Sequence, residues 1–127
     1  MAKLSTHVLD TAAGRPAVGM GLVLLRLGNT GHWEPVLRTR TNADGRCDRP
    51  LLEGDALVGG RYCLRFAVGE YFAGQRATTA GADANASQAP MPFLDQVPIE
   101  FGIANPEQSY HVPLLVSPWS YTTYRGS

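Results

Sequence analysis

Three histidines are the side chains of this sequence best suited to proton transfer, because imidazole titrates nearest to neutral pH. His7 lies in LSTHVLD and His111 in YHVPLLV, two segments whose alternation is typical of β-strands. His32 lies in the Gly-rich turn GNTGHW, where we interpret it as a solvated loop residue. Spacing alone favours an ordinary surface role for His7 and His111, although two neutral imidazoles that met could divide proton abstraction and donation.

The turn TNADGRCD carries a guanidinium that could hold a substrate. Asp44 and Gly45 predict a tight bend, and Arg46 follows at once. By itself this pattern is typical of a hairpin tip with a solvated arginine. A zinc site would need at least a third ligand, and no Cys or His pair has metal spacing, so we expect no metal. Phosphate-loop, nucleophile-elbow and paired-carboxylate patterns are also absent from the sequence.

Composition and charge limit the kind of partner. The 127 residues fit a single domain, 1–127, and eleven basic residues balance eleven acidic ones. This balance favours a small, weakly charged molecule or another protein over nucleic acid or an anionic membrane. Cys47 and Cys63 are too few for a disulfide framework. The chain starts without a secretory apolar run, and no stretch approaches the roughly 20 apolar residues of a membrane span. We therefore expect a soluble, cytoplasmic protein.

Period-two alternation predicts the strands that must position these groups. The pattern is clearest in RYCLRFAV, with apolar residues at positions 62, 64, 66 and 68, and it recurs in QVPIEFGI and YHVPLLV. LSTHVLD, GLVLLRLG and WEPVLRTRT predict three further strands. One short helix is expected around GEYFAGQRA, and a surface loop from Thr78 to Pro92. The fold class is therefore all-β, an antiparallel sandwich or barrel, with His7 and His111 facing away from its core.

The last strand and the chain end carry further expectations. Pro113 removes a ladder donor, so we expect YHVPLLVSP to be an edge or bulged strand. The outer face of this strand is mostly apolar, and a second copy of the chain is the simplest cover for it. The tail from Tyr124 to Ser127 is unusually rich in aromatic and polar groups for a chain end, which favours a packed or functional role over fraying.

Three separated segments resemble the transthyretin family, in particular its 5-hydroxyisourate hydrolase branch. These segments are THVLDTAAGRPA, TNADGR and YHVPLLVSPWSYTTYRGS, and they occur in the family's order. The terminal YRGS is typical of the enzymes rather than of the hormone carriers. Family members often read HYHVPLL, whereas this chain has Ser109 at the first of those positions. Position 109 is therefore a poor candidate for an essential role.

The resemblance implies a fold, an assembly and a reaction. The implied fold is an antiparallel β-sandwich of about eight strands with one short helix. The implied assembly is a homotetramer, a dimer of dimers, whose active sites lie in a channel lined by the first and last strands. The implied reaction is the hydrolysis of 5-hydroxyisourate to 2-oxo-4-hydroxy-4-carboxy-5-ureidoimidazoline in urate breakdown, with neither a metal nor an organic cofactor.

The family's functional residues have counterparts in this chain. The resemblance implies catalytic roles for His7, Arg46, His111 and Ser127, and substrate contacts for His7, Arg46 and Tyr124. It does not say which histidine is the base. The alternative is a transthyretin-type carrier that binds a small ligand without chemistry, and a third interpretation is a structural assembly module. The polar set formed by His7, Arg46 and His111 favours the enzyme, since burying unused polar groups costs free energy.

Overall fold

The protein is described by a computed structural model that covers residues 2–79 and 91–126. In chain order the elements are β1 (Lys3–Asp10), β2 (Arg15–Pro16), β3 (Gly21–Leu27), β4 (Trp33–Arg40), β5 (Leu52–Glu53), a 3-10 turn (Gly54–Ala56), β6 (Gly60–Ala67), α1 (Val68–Thr79), β7 (Gln96–Ile103), β8 (Tyr110–Val116) and β9 (Tyr121–Thr123). No helix in these ranges is long and apolar enough to cross a membrane.

The strands form two sheets that enclose one apolar core. One sheet has the order β2-β1-β8-β9, with β5 also paired to β1, and the other has the order β4-β3-β6-β7. Neighbouring strands are antiparallel with one exception, the parallel pair of β1 and β8. The predicted β-sandwich with one short helix is confirmed.

Alternate residues of the long strands build the core, as the period-two pattern predicts. In β6 and at the start of α1 the inward side chains are almost inaccessible, and β8 contributes another row: Tyr62, Leu64, Phe66, Val68, Tyr110, Val112, Leu114 and Val116. Each large apolar side chain buried in this way contributes about 1.5–3 kcal/mol to folding. The opposite residues of β1 and β8 are therefore available to line a site on the outer face of their sheet.

The prediction that β8 is an edge or bulged strand is wrong, because β9 pairs with it from Leu114 to Val116 and its registers with β1 and β9 contain no shift. The proline still interrupts this ladder. The same register pairs His111 with Gly126 and so brings Pro113 opposite Tyr124. Pro113 has no N–H to donate there, and its carbonyl oxygen instead accepts a hydrogen bond from Thr123 Oγ1 at 2.8 Å.

The helix is longer than its pattern suggests, and a buried hydrogen bond ties it to β1. Thr78 and Thr79 belong to α1, so the predicted loop does not begin at Thr78, and residues 80–90 of that loop lie outside the described residues. Tyr71 on α1 donates to Asp10 Oδ2 at 2.8 Å, and Asp10 is buried at the end of β1. Burial, together with the Asp10 carboxylate, raises the pKa of Tyr71 well above its ordinary value.

Candidate active site

The outer face of the β1–β8 pair carries both strand histidines. In the parallel register Ser5 is paired with His111, and His7 is paired with Pro113 two residues further along. Ser5, His7 and His111 are all half-buried and lie opposite the core residues of the same strands. The prediction that both histidines face away from the core is confirmed, and the pairing places them on adjacent strands.

Arg46 reaches this face from a connection between the two sheets. The predicted tight bend is present, since Gly45 N donates to Asn42 O at 3.0 Å and Gly45 adopts a φ of 75°. The Asn42 side chain braces the bend by accepting from the backbone N–H groups of Asp44 and Arg46, at 2.9 and 3.2 Å. The bend is not a hairpin tip, because the strand that follows it, β5, pairs with β1 rather than with β4.

The bend is attached directly to β1 beside His7. Arg46 forms a β-bridge with His7, and Val8 N donates to Gly45 O at 2.8 Å. A Cβ on Gly45 would lie 2.5 Å from the Val8 carbonyl oxygen and 3.3 Å from His7 Cδ2. Glycine is therefore required at this position both by its positive φ and by the close approach of β1.

His111 lies in a more perturbed environment. Burial lowers its pKa below the ordinary value of 6.5, and the positive charge of Arg46 and the proximity of His7 lower it further. His111 is therefore neutral at neutral pH, so one ring nitrogen carries a lone pair. The Ser5 hydroxyl lies 2.9 Å from one of the two ring nitrogens, Nδ1.

The C-terminal tail follows β8 to the same histidine. Gly126 N donates to His111 O at 2.7 Å, and the Arg125 guanidinium lies over the Tyr110 ring, 4.2 Å from its centroid. Arg125 also donates to Ser109 O at 3.3 Å. The tail is thus bound along β8 as far as Gly126. The Tyr124 side chain is 58% exposed, and Ser127 lies outside the described residues.

A depression of about 210 Å³ lies next to Arg46 on this side of the molecule. Its lining is polar and basic: Lys3, Ser5, Thr6, Arg46, Cys47, Asp48, Arg49 and Pro50. A larger depression of about 740 Å³ lies on the other sheet, over β3, β4 and β6. Neither depression is lined by His7 or His111. We place the candidate site at the smaller one because two of its lining residues contact the histidines, Arg46 through the bridge to His7 and Ser5 through its hydroxyl beside His111 Nδ1.

Comparison with known proteins gives the family. Residues 4–126 match the HIUase/Transthyretin family. The chain belongs to this family. A 5-hydroxyisourate hydrolase from Ralstonia nicotianae is 51% identical over 127 residues, covering 100% of both chains. A second, from Mesorhizobium japonicum, is 49% identical over 98% of this chain and 92% of its own length.

Solved structures agree with this assignment. The crystal structure of an (S)-allantoin synthase matches with a TM-score of 0.83 and 44% identity over 99% of this chain, which spans only 44% of that protein. The structure of Klebsiella pneumoniae 5-hydroxyisourate hydrolase matches with a TM-score of 0.74 and 33% identity, and the match covers 100% of both chains. Sea bream transthyretin in complex with thyroxine matches with a TM-score of 0.81 and 26% identity, over 98% of this chain and 95% of that one. The family thus includes an enzyme and a ligand-binding protein on one fold.

The structure brings together the three central residues of the predicted site and adds two that sequence reasoning missed. His7, Arg46 and His111 lie on one face, whereas Tyr124 is located only by its register opposite Pro113. The missed residues are Ser5 and Gly126, both in contact with His111. The period-two pattern of β1 places Ser5 on the same face as His7. The contact of Ser5 with His111 depends on the pairing of β1 with β8, which the sequence does not reveal.

Proposed function

We propose that this chain hydrolyses 5-hydroxyisourate to 2-oxo-4-hydroxy-4-carboxy-5-ureidoimidazoline, a step in urate degradation. Relatives named as 5-hydroxyisourate hydrolases match at 42–51% identity over at least 98% of this chain and support the assignment. The observation that carries the proposal is the convergence of His7, Arg46 and His111 from three separate segments on one face.

Hydrolysis of the ring requires two proton transfers. The water oxygen bonds to a ring carbonyl carbon, the adjacent C–N bond breaks, one water proton goes to a base, and the leaving nitrogen receives a proton from an acid. His7 and His111 supply the base and the acid in this proposal. The lowered pKa of His111 keeps its imidazole neutral near pH 7, as a general base needs.

Arg46 supplies a positive charge that stabilises the negative charge developing on the substrate oxygen during the reaction. Its guanidinium stays protonated and offers a planar pair of donors that fits two acceptor oxygens. The Asn42 brace and the bridge to His7 hold its backbone before substrate arrives. Preorganised donors of this kind each contribute about 10²–10³ in kcat, because they need no reorganisation during the reaction.

The tail and a second pair of subunits complete the proposed site. Tyr124 positions the substrate, and Ser127 contributes to catalysis. The active form is a homotetramer, a dimer of dimers, with the sites in a channel between dimers. Apolar side chains left uncovered in one chain support such an assembly: Val18, Trp119 and Tyr121 are 51%, 71% and 43% exposed.

The second candidate function is a small-ligand carrier, which the likeness to thyroxine-bound transthyretin favours. Two observations weigh against it. The identity to that protein is 26%, compared with 51% to the Ralstonia nicotianae hydrolase. The candidate site also carries a guanidinium and two imidazoles, which are costly to bury beside an apolar ligand.

The test is the decay of 5-hydroxyisourate, generated in situ by urate oxidase and followed by its ultraviolet absorbance. We expect the protein to accelerate this decay, and we expect His7→Gln, Arg46→Gln and His111→Gln each to abolish most of the acceleration. His32→Gln, in an exposed turn, is the matched control and should retain full rate. Decay at the same speed with and without the protein would reject the enzyme and leave the carrier.

A further inference from the structure

One ring nitrogen of His111 is hydrogen-bonded to the side chain of Ser5, to which the proposed function assigns no role. The Ser5 hydroxyl lies 2.9 Å from His111 Nδ1, across the parallel pair of β1 and β8. The two residues are 106 positions apart in the sequence, so only the strand pairing brings them together. The imidazole Nε2 forms no hydrogen bond to any of the described residues.

The chemistry of the two partners limits how this hydrogen bond can work. A neutral imidazole has one N–H and one lone pair, and a serine hydroxyl can both donate and accept. If the proton is on Nδ1, Ser5 accepts it, and the lone pair is on the nitrogen that has no partner. If the proton is on Nε2, the hydroxyl caps the lone pair, and the ring cannot accept a proton without breaking that hydrogen bond.

The hydrogen bond from Nδ1–H to Ser5 is also the arrangement that can stay unchanged when the ring takes up a proton. A doubly protonated imidazolium keeps N–H on Nδ1, so a Ser5 oxygen that accepts from Nδ1 does so before and after a proton is taken up at Nε2. A donating hydroxyl would have to rotate at each turnover. The backbone restricts the ring from its other edge, because Gly126 lies so close that a Cβ there would be 2.6 Å from Cδ2.

We propose that Ser5 is a positioning residue that accepts a hydrogen bond from His111 Nδ1–H and so leaves Nε2 as the nitrogen that exchanges a proton with water or substrate. This inference rests on the proposed hydrolase function for its kinetic consequence. The tautomer itself can be measured without turnover. Threonine keeps the hydroxyl on a strand residue and should be able to replace Ser5, whereas alanine should not.

The experiment compares Ser5→Ala, Ser5→Thr and a matched control, Ser109→Ala. Ser109 is also next to β8, and its hydroxyl accepts from Lys3 N at 3.2 Å, yet it does not touch a ring nitrogen of His111. We expect Ser5→Ala to lower kcat/KM about 10- to 100-fold through misplacement of the ring. Ser5→Thr should restore most of the rate, and Ser109→Ala should leave it unchanged.

The second readout is the tautomer of His111, from long-range nitrogen–proton correlation spectra of the folded protein. We expect Nδ1–H in the wild type and in Ser5→Thr, and a shift of the population towards Nε2–H in Ser5→Ala. A wild-type ring protonated on Nε2 would overturn the proposal, as would a Ser5→Ala protein with unchanged rate and tautomer. If the wild type does not accelerate 5-hydroxyisourate decay, the proposed function fails, while the tautomer still decides the role of Ser5.

Discussion

A single methyl group added at Gly126 tests the geometry of the candidate site. An alanine Cβ there would lie 2.6 Å from His111 Cδ2 and 3.2 Å from both Cβ and Cγ of the same histidine. Carbon atoms in ordinary contact are about 3.5–4.0 Å apart, so the ring or the tail must move by about 1 Å. Gly126 is not among the described glycines with positive φ, so alanine suits its backbone and the conflict is with the imidazole.

The expected loss follows from that displacement. The Ser5 contact at Nδ1 and the Gly126 N–His111 O hydrogen bond of 2.7 Å restrain the ring and the tail, so neither can shift without weakening one of them. A misplacement of about 1 Å at a reacting group can lower the rate about 100-fold. We expect Gly126→Ala to lower kcat/KM by about that factor, with little change in the urea midpoint because Gly126 is only half-buried and lies outside the apolar core.

The assay is the ultraviolet decay of 5-hydroxyisourate, with Gly74→Ala as the matched glycine control. A Cβ on Gly74 meets nothing within 4 Å, and alanine favours the helix by about 0.5–1 kcal/mol, so this control should be fully active. A folded Gly126→Ala protein with near wild-type turnover would refute the placement of the tail against the ring. Equal losses in both variants would show that the effect is not specific to the site.

Four further perturbations have expected outcomes. Tyr71→Phe removes a hydrogen bond to the buried Asp10 carboxylate, and urea unfolding should show a loss of about 1.5–3 kcal/mol while the activity of the folded protein persists; an unchanged midpoint would contradict this. Arg46→Gln removes a positive charge, so an NMR titration should show the pKa of His111 rising towards 6.5, and no rise would exclude that coupling. The pKa of His111 is lower in the folded than in the unfolded chain, so its contribution to stability is complete above pH 6.5 and is lost as the pH falls through the folded value. His111→Gln should therefore reduce the dependence of the unfolding free energy on pH, measured on both sides of pH 6.5. An unchanged pH dependence would argue against this contribution. A C-terminal tag should impair turnover far more than an N-terminal tag, and equal activities would argue against a role for the tail.

Local patterns predicted the strands but not their partners. Period two gave the inward rows of β6 and β8, because one buried face imposes alternation on the chain. The pairing of β1 with β8 joins residues more than 100 positions apart, and no local signal encodes it. The sequence pattern does not predict the short strands β2, β5 and β9, because two or three residues are too few to show a period-two alternation.

The site showed the same division between local and long-range information. Asp44 and Gly45 predict the bend before Arg46. The contact of that bend with His7 depends on the path of the connection from β4 in one sheet to β5 in the other. Only the family resemblance grouped His7, Arg46 and His111 in advance. By itself, Pro113 predicts that β8 is an edge or bulged strand. In the fold it marks an interruption in a ladder that β9 otherwise covers.

Two side chains of the candidate site, Arg46 and His111, depend on small residues beside them. Gly45 allows the bend that carries Arg46 to approach β1, and Gly126 and Ser5 hold His111 from two sides. A slip of one residue in β1 would turn His7 and Ser5 towards the core and expose Thr6 and Val8. The burial of β1 against the sandwich core therefore fixes the register that the chemistry needs, so stability and site geometry are set by the same strand pairing.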